Sequence, residues 1–284
     1  MNGVDSVSQG SHQVPRPPAS PLAAALAAAR AEGRAALIGY LPAGFPSVSG
    51  SVAAFRAMVA GGCDIVEVGL PYSDPVMDGP VIQAAAEAAL AAGVHTGDVL
   101  DVLGQITPVA PAVVMTYWNP VERYGVSRFA AGVAAAGGSG LITPDLIPDE
   151  ATEWLTASDS AALDRVFLVS PSSTDARLAH VAGHSRGFVY AASTMGVTGT
   201  RTQVGSGAAG LVERVRRVTD LPVCVGLGVS TGAQAAEVAG YADGVIVGSA
   251  FVRRLLEADS LTAGCQALTE LAAELAAGVR KGRS

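Results

Sequence analysis

Short apolar runs alternate along the chain with segments in which apolar residues recur every three or four positions. The short runs are typical of buried strands, and the spaced pattern predicts amphipathic helices. The predicted strands are residues 35–41, 64–70, 112–117, 140–143, 165–169, 188–191, 222–226 and 244–247. The predicted helices are residues 21–33, 52–60, 80–92, 99–105, 127–136, 149–157, 174–184, 208–219, 233–239 and 250–277.

Eight strands in succession, each followed by a helical pattern, predict a parallel sheet closed into a (β/α)8 barrel. A doubly wound sheet also alternates strands and helices, but it usually has fewer strands and would carry a glycine fingerprint after the first one, which is absent here. We predict one α/β domain, a (β/α)8 TIM barrel, over residues 21–284. Residues 1–20 are polar and rich in proline, which predicts a disordered tail.

The second predicted strand carries a carboxylate at its centre. Side chains alternate along a strand, so Glu67 shares one face with Ile65 and Gly69, and the bare glycine suggests the wall of a small cavity. A buried carboxylate is either paired, commonly with an arginine, or kept for chemistry. Because barrel active sites lie at the C-terminal ends of the strands, we take Glu67 as a candidate catalytic acid.

Further polar residues follow the predicted strands. Asp78 lies in the loop after the second strand and is the second candidate catalytic acid, although it could instead shape the turn before Gly79 or cap the next helix. Later strands are followed by, or end in, Asn119, Asp145, Ser170 and Tyr190. Turn formation explains Asn119 and Asp145 equally well, and Asp74 is as consistent with a turn or a subunit contact as with catalysis.

Two glycine-rich loops follow the last two predicted strands, where barrels commonly bind phosphate. They read GLGVS (226–230) and GSAF (248–251). Backbone N–H groups beside glycine can approach an anion closely, and a helix N-terminus adds partial positive charge. Ser249 alone would indicate no more than a helix cap. Both loops together predict a phosphate site, which the loop MGVTG (195–199) could complete.

Composition and charge exclude several classes of function. A formal net charge of −7 and an aromatic content of 5% disfavour a nucleic-acid partner. No apolar stretch approaches the length of a membrane span, and the alanine-rich run 22–29 continues through Arg30 and Glu32 as an ordinary helix. The three scattered cysteines are expected to be mostly buried thiols. We therefore expect a cytoplasmic protein.

The sequence argues against a metal site and against a catalytic Schiff-base lysine. His180 and His184 are one helical turn apart, but no third ligand is near them in the sequence, so we predict no metal site. The only lysine is Lys281, in the polar C-terminal segment. A Schiff-base lysine at the end of a barrel strand is thereby excluded.

Two long segments, IVEVGLPYSDPVMDGPVIQ (65–83) and YAASTMGVTG (190–199), resemble the signatures of the tryptophan synthase alpha subunit family. The resemblance extends from residue 35 to the end of the last helix. It implies a (β/α)8 barrel that cleaves indole-3-glycerol phosphate to indole and glyceraldehyde 3-phosphate. It also implies an α2β2 heterotetramer with a beta subunit, which holds pyridoxal phosphate and receives the indole. This chain would hold no cofactor.

The resemblance implies which residues of this chain form the site. They are Glu67 and Asp78 as the catalytic acids, Tyr40, Tyr190 and Thr198 as substrate-binding residues, and Gly199, Gly228, Gly248 and Ser249 as the phosphate site. Tyr40 and Leu227 stand where many members carry phenylalanine, and Met77 replaces a smaller residue. These departures affect the shape of the indole pocket and leave the chemistry intact.

The residues suit the implied reaction on their own chemistry. Retro-aldol cleavage requires a proton on indole C3 and removal of the proton from the glycerol hydroxyl next to the ring. One partly buried carboxylate can serve both steps, a role we assign to Glu67. A second carboxylate, Asp78, would stabilise positive charge developing at the indole N–H.

Two mobile or exposed segments complete the prediction. Residues 193–207 contain four glycines and are expected to close over the site, where Thr198 would hydrogen-bond Asp78, although Thr198 could equally serve the turn alone. The rim at residues 71–80 presents Val76 and Met77 to solvent as a beta-subunit contact. Two rivals remain: a non-catalytic subunit that binds the ligand only to regulate a partner, and another phosphate-sugar barrel such as an epimerase. A stand-alone lyase that releases free indole would share every active-site residue.

Overall fold

The computed structural model describes residues 20–192, 207–226 and 228–282. The strands of these residues are all parallel. They are β1 (Ala36–Pro42), β2 (Ile65–Gly69), β3 (Ala112–Met115), β4 (Gly140–Ile142), β5 (Asp164–Val166), β6 (Leu168–Val169), β7 (Val189–Ala192), β8 (Val223–Gly226) and β9 (Gly244–Val247).

The sheet closes on itself. Its order is β5-β4-β3-β2-β1-β9-β8-β7-β6, so β5 and β6 lie at the two ends. These two strands are consecutive in the chain and are interrupted only at Phe167, whose carbonyl accepts a hydrogen bond from the backbone N–H of Tyr190 at 3.2 Å. They are therefore two halves of one barrel strand, and the predicted (β/α)8 fold is confirmed.

Helices surround the barrel. They are α1 (Pro21–Ala31), α2 (Val48–Gly61), α3 (Pro80–Ala91), α4 (Thr96–Ile106), α5 (Trp118–Tyr124), α6 (Val126–Ala135), α7 (Thr152–Ser160), α8 (Asp175–His184), α9 (Gly207–Arg216), α10 (Gly232–Ala239), α11 (Ser249–Leu256) and α12 (Leu261–Lys281), with a 3-10 turn at Pro148–Glu150.

Two helical features differ from the prediction. The short helix α5 was not predicted, and the single helix 250–277 is wrong because Ser260 caps a new helix there, its hydroxyl accepting from Ala263 N at 3.2 Å.

Helix α1 closes the N-terminal end of the barrel. Its Leu22 and Leu26 belong to one buried cluster with inward-facing strand residues such as Ile65 and Phe188. Ser20, predicted as the last residue of the tail, caps this helix by accepting a hydrogen bond from Ala23 N at 3.2 Å. The prediction of disorder for residues 1–19 lies outside the described residues. With this end filled, the open end of the barrel is the C-terminal one.

The inner and outer faces of the strands form two separate cores. The outward-facing side chains pack with the surrounding helices, and the inward-facing ones fill the barrel with apolar groups such as Ile38, Val113 and Ile246. Cys63 and Cys224 are buried free thiols, as predicted, and Cys265 is partly exposed. No helix in the described ranges is long and apolar enough to cross a membrane.

Candidate active site

Glu67 lies on the inner wall of the barrel, two residues after the core residue Ile65. It is 1% exposed, and neither carboxylate oxygen has a hydrogen-bond partner among the described residues. Burial raises the pKa of Glu67 to about 8. A structural acid paired with an arginine would show such a bond, so the structure favours the chemical role over the structural one.

Tyr40 lies beside Glu67, since the two residues are partners in the register of β1 and β2. The Tyr40 ring extends across β2, where a Cβ on Gly69 would lie 2.5 Å from the hydroxyl oxygen. A Cβ on Gly248 would lie 3.3 Å from Tyr40 Cδ1. The sequence had suggested that Gly69 lines a small cavity. In the structure the Tyr40 ring fills the space beside Gly69.

Tyr190 is the second residue of β7 and packs against the apolar core inside the barrel. A Cβ on Gly226, in neighbouring β8, would lie 2.3 Å from the Tyr190 hydroxyl oxygen. Glycine at 226 therefore makes room for this side chain, as Gly69 does for Tyr40. Met115 and Leu168 pack against the same interior core and line the wall at this level.

Asp78 is half-buried in the loop between β2 and α3. Its Oδ1 accepts a hydrogen bond from the Tyr117 hydroxyl at 3.0 Å, and the same hydroxyl accepts from Met77 N at 3.0 Å. The Gln83 side chain donates to the Asp78 carbonyl at 2.8 Å. Burial raises the pKa of Asp78, and the Tyr117 hydrogen bond opposes that rise. The Tyr117 hydroxyl thus holds the carboxyl group of Asp78, and the Gln83 side chain holds its backbone.

Asn119 and Asp145 support the loops around Asp78. The Asn119 amide donates to the Tyr72 hydroxyl at 2.7 Å, and the Tyr72 ring lies 5.6 Å from that of Tyr117. Both oxygens of Asp145 accept from Trp118 N, at 3.0 and 3.1 Å. Their contacts fix the start of α5 and with it the position of Tyr117.

The two glycine loops lie where a phosphate site was predicted. Gly228 has φ of +69°, a left-handed conformation that glycine adopts without strain. Gly248 precedes α11, whose first residue Ser249 is buried. The first N–H groups of a helix have no partner within the helix, so those of Ser249 and Ala250 can face an anion, whereas Phe251 N donates to the Gly248 carbonyl at 2.9 Å. Thr198, Gly199 and Leu227 lie outside the described residues.

His180 and His184 are explained by their neighbours. Their rings lie 4.6 Å apart, and His180 Nε2 is 3.3 Å from Asp149 Oδ1. His184 Nδ1 is 2.8 Å from the His180 carbonyl oxygen. Within the described ranges no group of three or more His, Cys, Asp or Glu residues could hold a metal ion.

Tyr117 is the site residue that sequence reasoning missed. It was included as the last residue of the strand predicted over 112–117, whereas β3 ends at Met115. A hydroxyl-bearing aromatic residue at the C-terminal end of a barrel strand was the available signal. Its partner could not be inferred, because the contact depends on how the loop carrying Asp78 folds back.

Tyr117→Phe should lower kcat on the order of tenfold, because the hydrogen bond that orients Asp78 is lost and bonds to charged groups contribute about 1.5–3 kcal/mol. Loss of the bond should also raise the pKa of Asp78 further. Steady-state kinetics with indole-3-glycerol phosphate would test this. Tyr241→Phe is the matched control, since the Tyr241 hydroxyl is buried without a hydrogen-bond partner in the described part of the chain. Equal kcat in both variants would show that Tyr117 does not orient Asp78.

These features together define a class of protein. A (β/α)8 barrel with a buried glutamate on its inner wall, a second carboxylate, and glycine loops where such barrels commonly bind phosphate is suited to acid–base cleavage of a phosphorylated substrate. The family described as "Tryptophan synthase alpha chain" matches residues 26–280. The chain belongs to this family.

Individual relatives agree over nearly the whole chain. The tryptophan synthase alpha chain of Thermobifida fusca is 64% identical over 259 residues, which are 90% of this chain and 96% of the relative. A structure of Mycobacterium tuberculosis tryptophan synthase has a TM-score of 0.87 at 60% identity and covers 92% of this chain and 99% of its own. The alpha chain from Legionella pneumophila has a TM-score of 0.79 at 31% identity, with 90% and 97% covered.

The activity follows from the family. The protein is a carbon–carbon lyase of tryptophan biosynthesis, which cleaves indole-3-glycerol phosphate to indole and glyceraldehyde 3-phosphate by a retro-aldol reaction. This agrees with the sequence-based expectation. Membership of this family also excludes the two alternative functions, an epimerase and a non-catalytic regulatory subunit.

Proposed function

We propose that Glu67 carries out both proton transfers of this cleavage. The observation that supports this role is its complete burial without a hydrogen-bond partner among the described residues, which raises its pKa to about 8. The carboxyl group is then mostly neutral near pH 7, so it can donate its proton to indole C3. The resulting carboxylate removes the proton of the glycerol hydroxyl next to the ring. The carbon–carbon bond breaks, its electrons return to the indole ring, and Glu67 is neutral again.

Asp78 is proposed to stabilise the positive charge that protonation of C3 creates at the indole nitrogen. A carboxylate held in place before the reaction stabilises developing charge without having to reorganise. The hydrogen bond from Tyr117 supports this role because it fixes the carboxylate and favours its ionised form. Thr198 is proposed to hold the other side of Asp78 when substrate is bound.

The substrate is proposed to lie across the mouth between Asp78 and the glycine loops. Tyr40 and Tyr190 would flank the indole and glycerol portions, with apolar contacts from Met115 and Leu168. The phosphate would accept hydrogen bonds from backbone N–H groups of Gly199, Gly228, Gly248 and Ser249. The close approach of Gly248, a proposed phosphate-binding residue, to Tyr40, the neighbour of Glu67, supports this arrangement.

The indole is proposed to pass to a tryptophan synthase beta subunit in a cytoplasmic α2β2 heterotetramer. Pyridoxal phosphate would belong to the beta subunit. This chain has a single lysine, Lys281, the last residue of α12, far in sequence from every barrel strand. The relative from Mycobacterium tuberculosis is described as tryptophan synthase, which supports a complex of both subunits.

The beta-subunit contact is proposed to include the loop between β2 and α3. Val76 in this loop is 74% exposed, whereas Met77 is half-buried and its backbone binds Tyr117. Val76→Asp should therefore weaken the complex at least about tenfold, as expected for a charge placed in a desolvated contact. Isothermal titration with the cognate beta subunit would measure this. Val109→Asp is the control, because Val109 is 49% exposed but precedes β3, at the opposite end of the barrel. Equal affinities for both variants would place the contact elsewhere.

The assay that tests the proposed function measures indole release from indole-3-glycerol phosphate by the purified chain, with and without beta subunit. Cleavage in both samples, faster with the beta subunit, is the expected result. Cleavage that is unchanged by the beta subunit, with no complex on size-exclusion chromatography, would instead identify a stand-alone lyase.

A further inference from the structure

Glu67 needs a hydrogen-bond donor at one stage of the reaction. After it has protonated C3 it is a buried carboxylate, and a buried charge without a hydrogen bond is costly. The two strands beside β2 offer very different partners. Val113 of β3 is in register on one side and is apolar, whereas Tyr40 of β1 is in register on the other and carries an O–H group.

The position of the Tyr40 ring is fixed from two sides. Its hydroxyl oxygen lies where a Cβ on Gly69 would be only 2.5 Å away, and Gly69 is on the same face of β2 as Glu67, one step closer to the mouth. On its other side the ring lies against Gly248. Tyr40 is 8% exposed, and both carboxylate oxygens of Glu67 are buried without a hydrogen-bond partner among the described residues. A hydroxyl donor on β1 is therefore held beside a buried acceptor on β2 that has no hydrogen-bond partner in the described ranges.

We propose that Tyr40 is a positioning residue whose hydroxyl donates a hydrogen bond to the ionised carboxylate of Glu67. The bond would form as Glu67 gives its proton to C3, and it would weaken as Glu67 takes the proton of the glycerol hydroxyl. The Tyr40 proton stays on its own oxygen throughout. This role depends on the proton transfers proposed above for Glu67, and it is specific to chains with tyrosine at this position.

The other groups that face Glu67 do not replace this donor. Tyr190 on β7 and Cys224 on β8 interact with Glu67, and Asp78 in the loop after β2 interacts with Tyr40. Burial raises the pKa of Tyr40, Tyr190 and Cys224 well above their usual values, so all three are neutral. Asp78 is itself an acceptor. The Tyr190 hydroxyl lies against Gly226 of β8, which is not a neighbour of β2 in the barrel.

The test is Tyr40→Phe, which keeps the ring between Gly69 and Gly248 and removes only the hydroxyl. We expect kcat to fall about tenfold to a hundredfold, the range for loss of a hydrogen bond to a charged group, with KM changed less than about twofold. The limb of the pH profile of kcat/KM that belongs to Glu67 should move to higher pH, because removing a donor to the carboxylate raises the pKa of the acid. Tyr124→Phe on α5 is the matched control, since that ring packs on Phe129 at the barrel exterior.

Each other outcome overturns the inference. A higher KM with unchanged kcat would mean that the hydroxyl binds substrate. A lower kcat with an unmoved pH limb would mean that it does not act through Glu67. Wild-type behaviour in a variant with the wild-type melting temperature would mean that the hydroxyl has no role. If Glu67→Gln is itself fully active, the proposed function of Glu67 fails, and that result is distinct from all of these.

Discussion

Glu67→Gln is expected to lower kcat for cleavage of indole-3-glycerol phosphate on the order of 10³- to 10⁴-fold, the upper range for loss of a general acid–base group. Glutamine keeps the shape of the side chain but can neither give nor take the proton. KM should change little, because Glu67 acts on the reacting atoms and not on the phosphate. Stopped assays with purified protein would measure both constants. Turnover within about tenfold of the wild type would contradict the assignment.

The same variant should be more stable than the wild type at neutral and alkaline pH. An acid whose pKa is raised on folding contributes stability that is fully present below its unfolded value, near 4.5, and is lost as the pH rises through its folded value, about 8. A glutamine side chain does not titrate, so the difference in melting temperature should grow from about pH 5 to about pH 8. A variant that is inactive because it is misfolded would instead melt at lower temperature at every pH.

Asp78→Asn is expected to lower kcat about 10²- to 10³-fold, the range observed when a preorganised electrostatic group is removed from an active site. Asparagine still accepts the hydrogen bond from Tyr117, but it carries no negative charge to stabilise the positive charge of the protonated indole. The loop should therefore keep its position while the intermediate loses its stabilisation. Single-turnover kinetics on the purified chain would isolate the chemical step.

Asp74→Asn is the matched control for that variant. Asp74 is in the same loop, is exposed, and accepts a hydrogen bond from Ser73 Oγ at 2.6 Å. Loss of its charge should leave cleavage by the isolated chain unchanged. If Asp74→Asn and Asp78→Asn slowed cleavage equally, the effect would belong to the loop as a whole and not to a carboxylate at the indole nitrogen.

The fold was largely predictable because its signals are local. Each strand–helix unit carries its own apolar pattern, and eight repetitions leave few alternatives to a closed parallel barrel. Where local signals were weak, the prediction erred. The alanine-rich segment after residue 250 reads as one helix, since the break at Ser260 depends on a single cap.

The sequence pointed to Glu67 and Asp78 as candidate site residues but did not reveal their contacts. Glu67 stood out because a carboxylate at the centre of an apolar strand requires an explanation, and the alternation of side chains placed it inside. The packing of Tyr40 against Gly69 and the bond from Tyr117 to Asp78 join residues 29 and 39 positions apart, and no local pattern encodes such pairs. The predicted roles of Thr198 and Gly199 remain predictions.

The central claim is that a single buried carboxyl group, neutral at the start of the reaction, transfers both protons. The pH dependence of kcat/KM tests it most directly, since this ratio reports the ionisation of the free enzyme. Because Glu67 must begin protonated, kcat/KM should fall as the pH rises, with a midpoint at about 8. A profile that stays flat through this pH, or that rises to a plateau above it, would contradict the account.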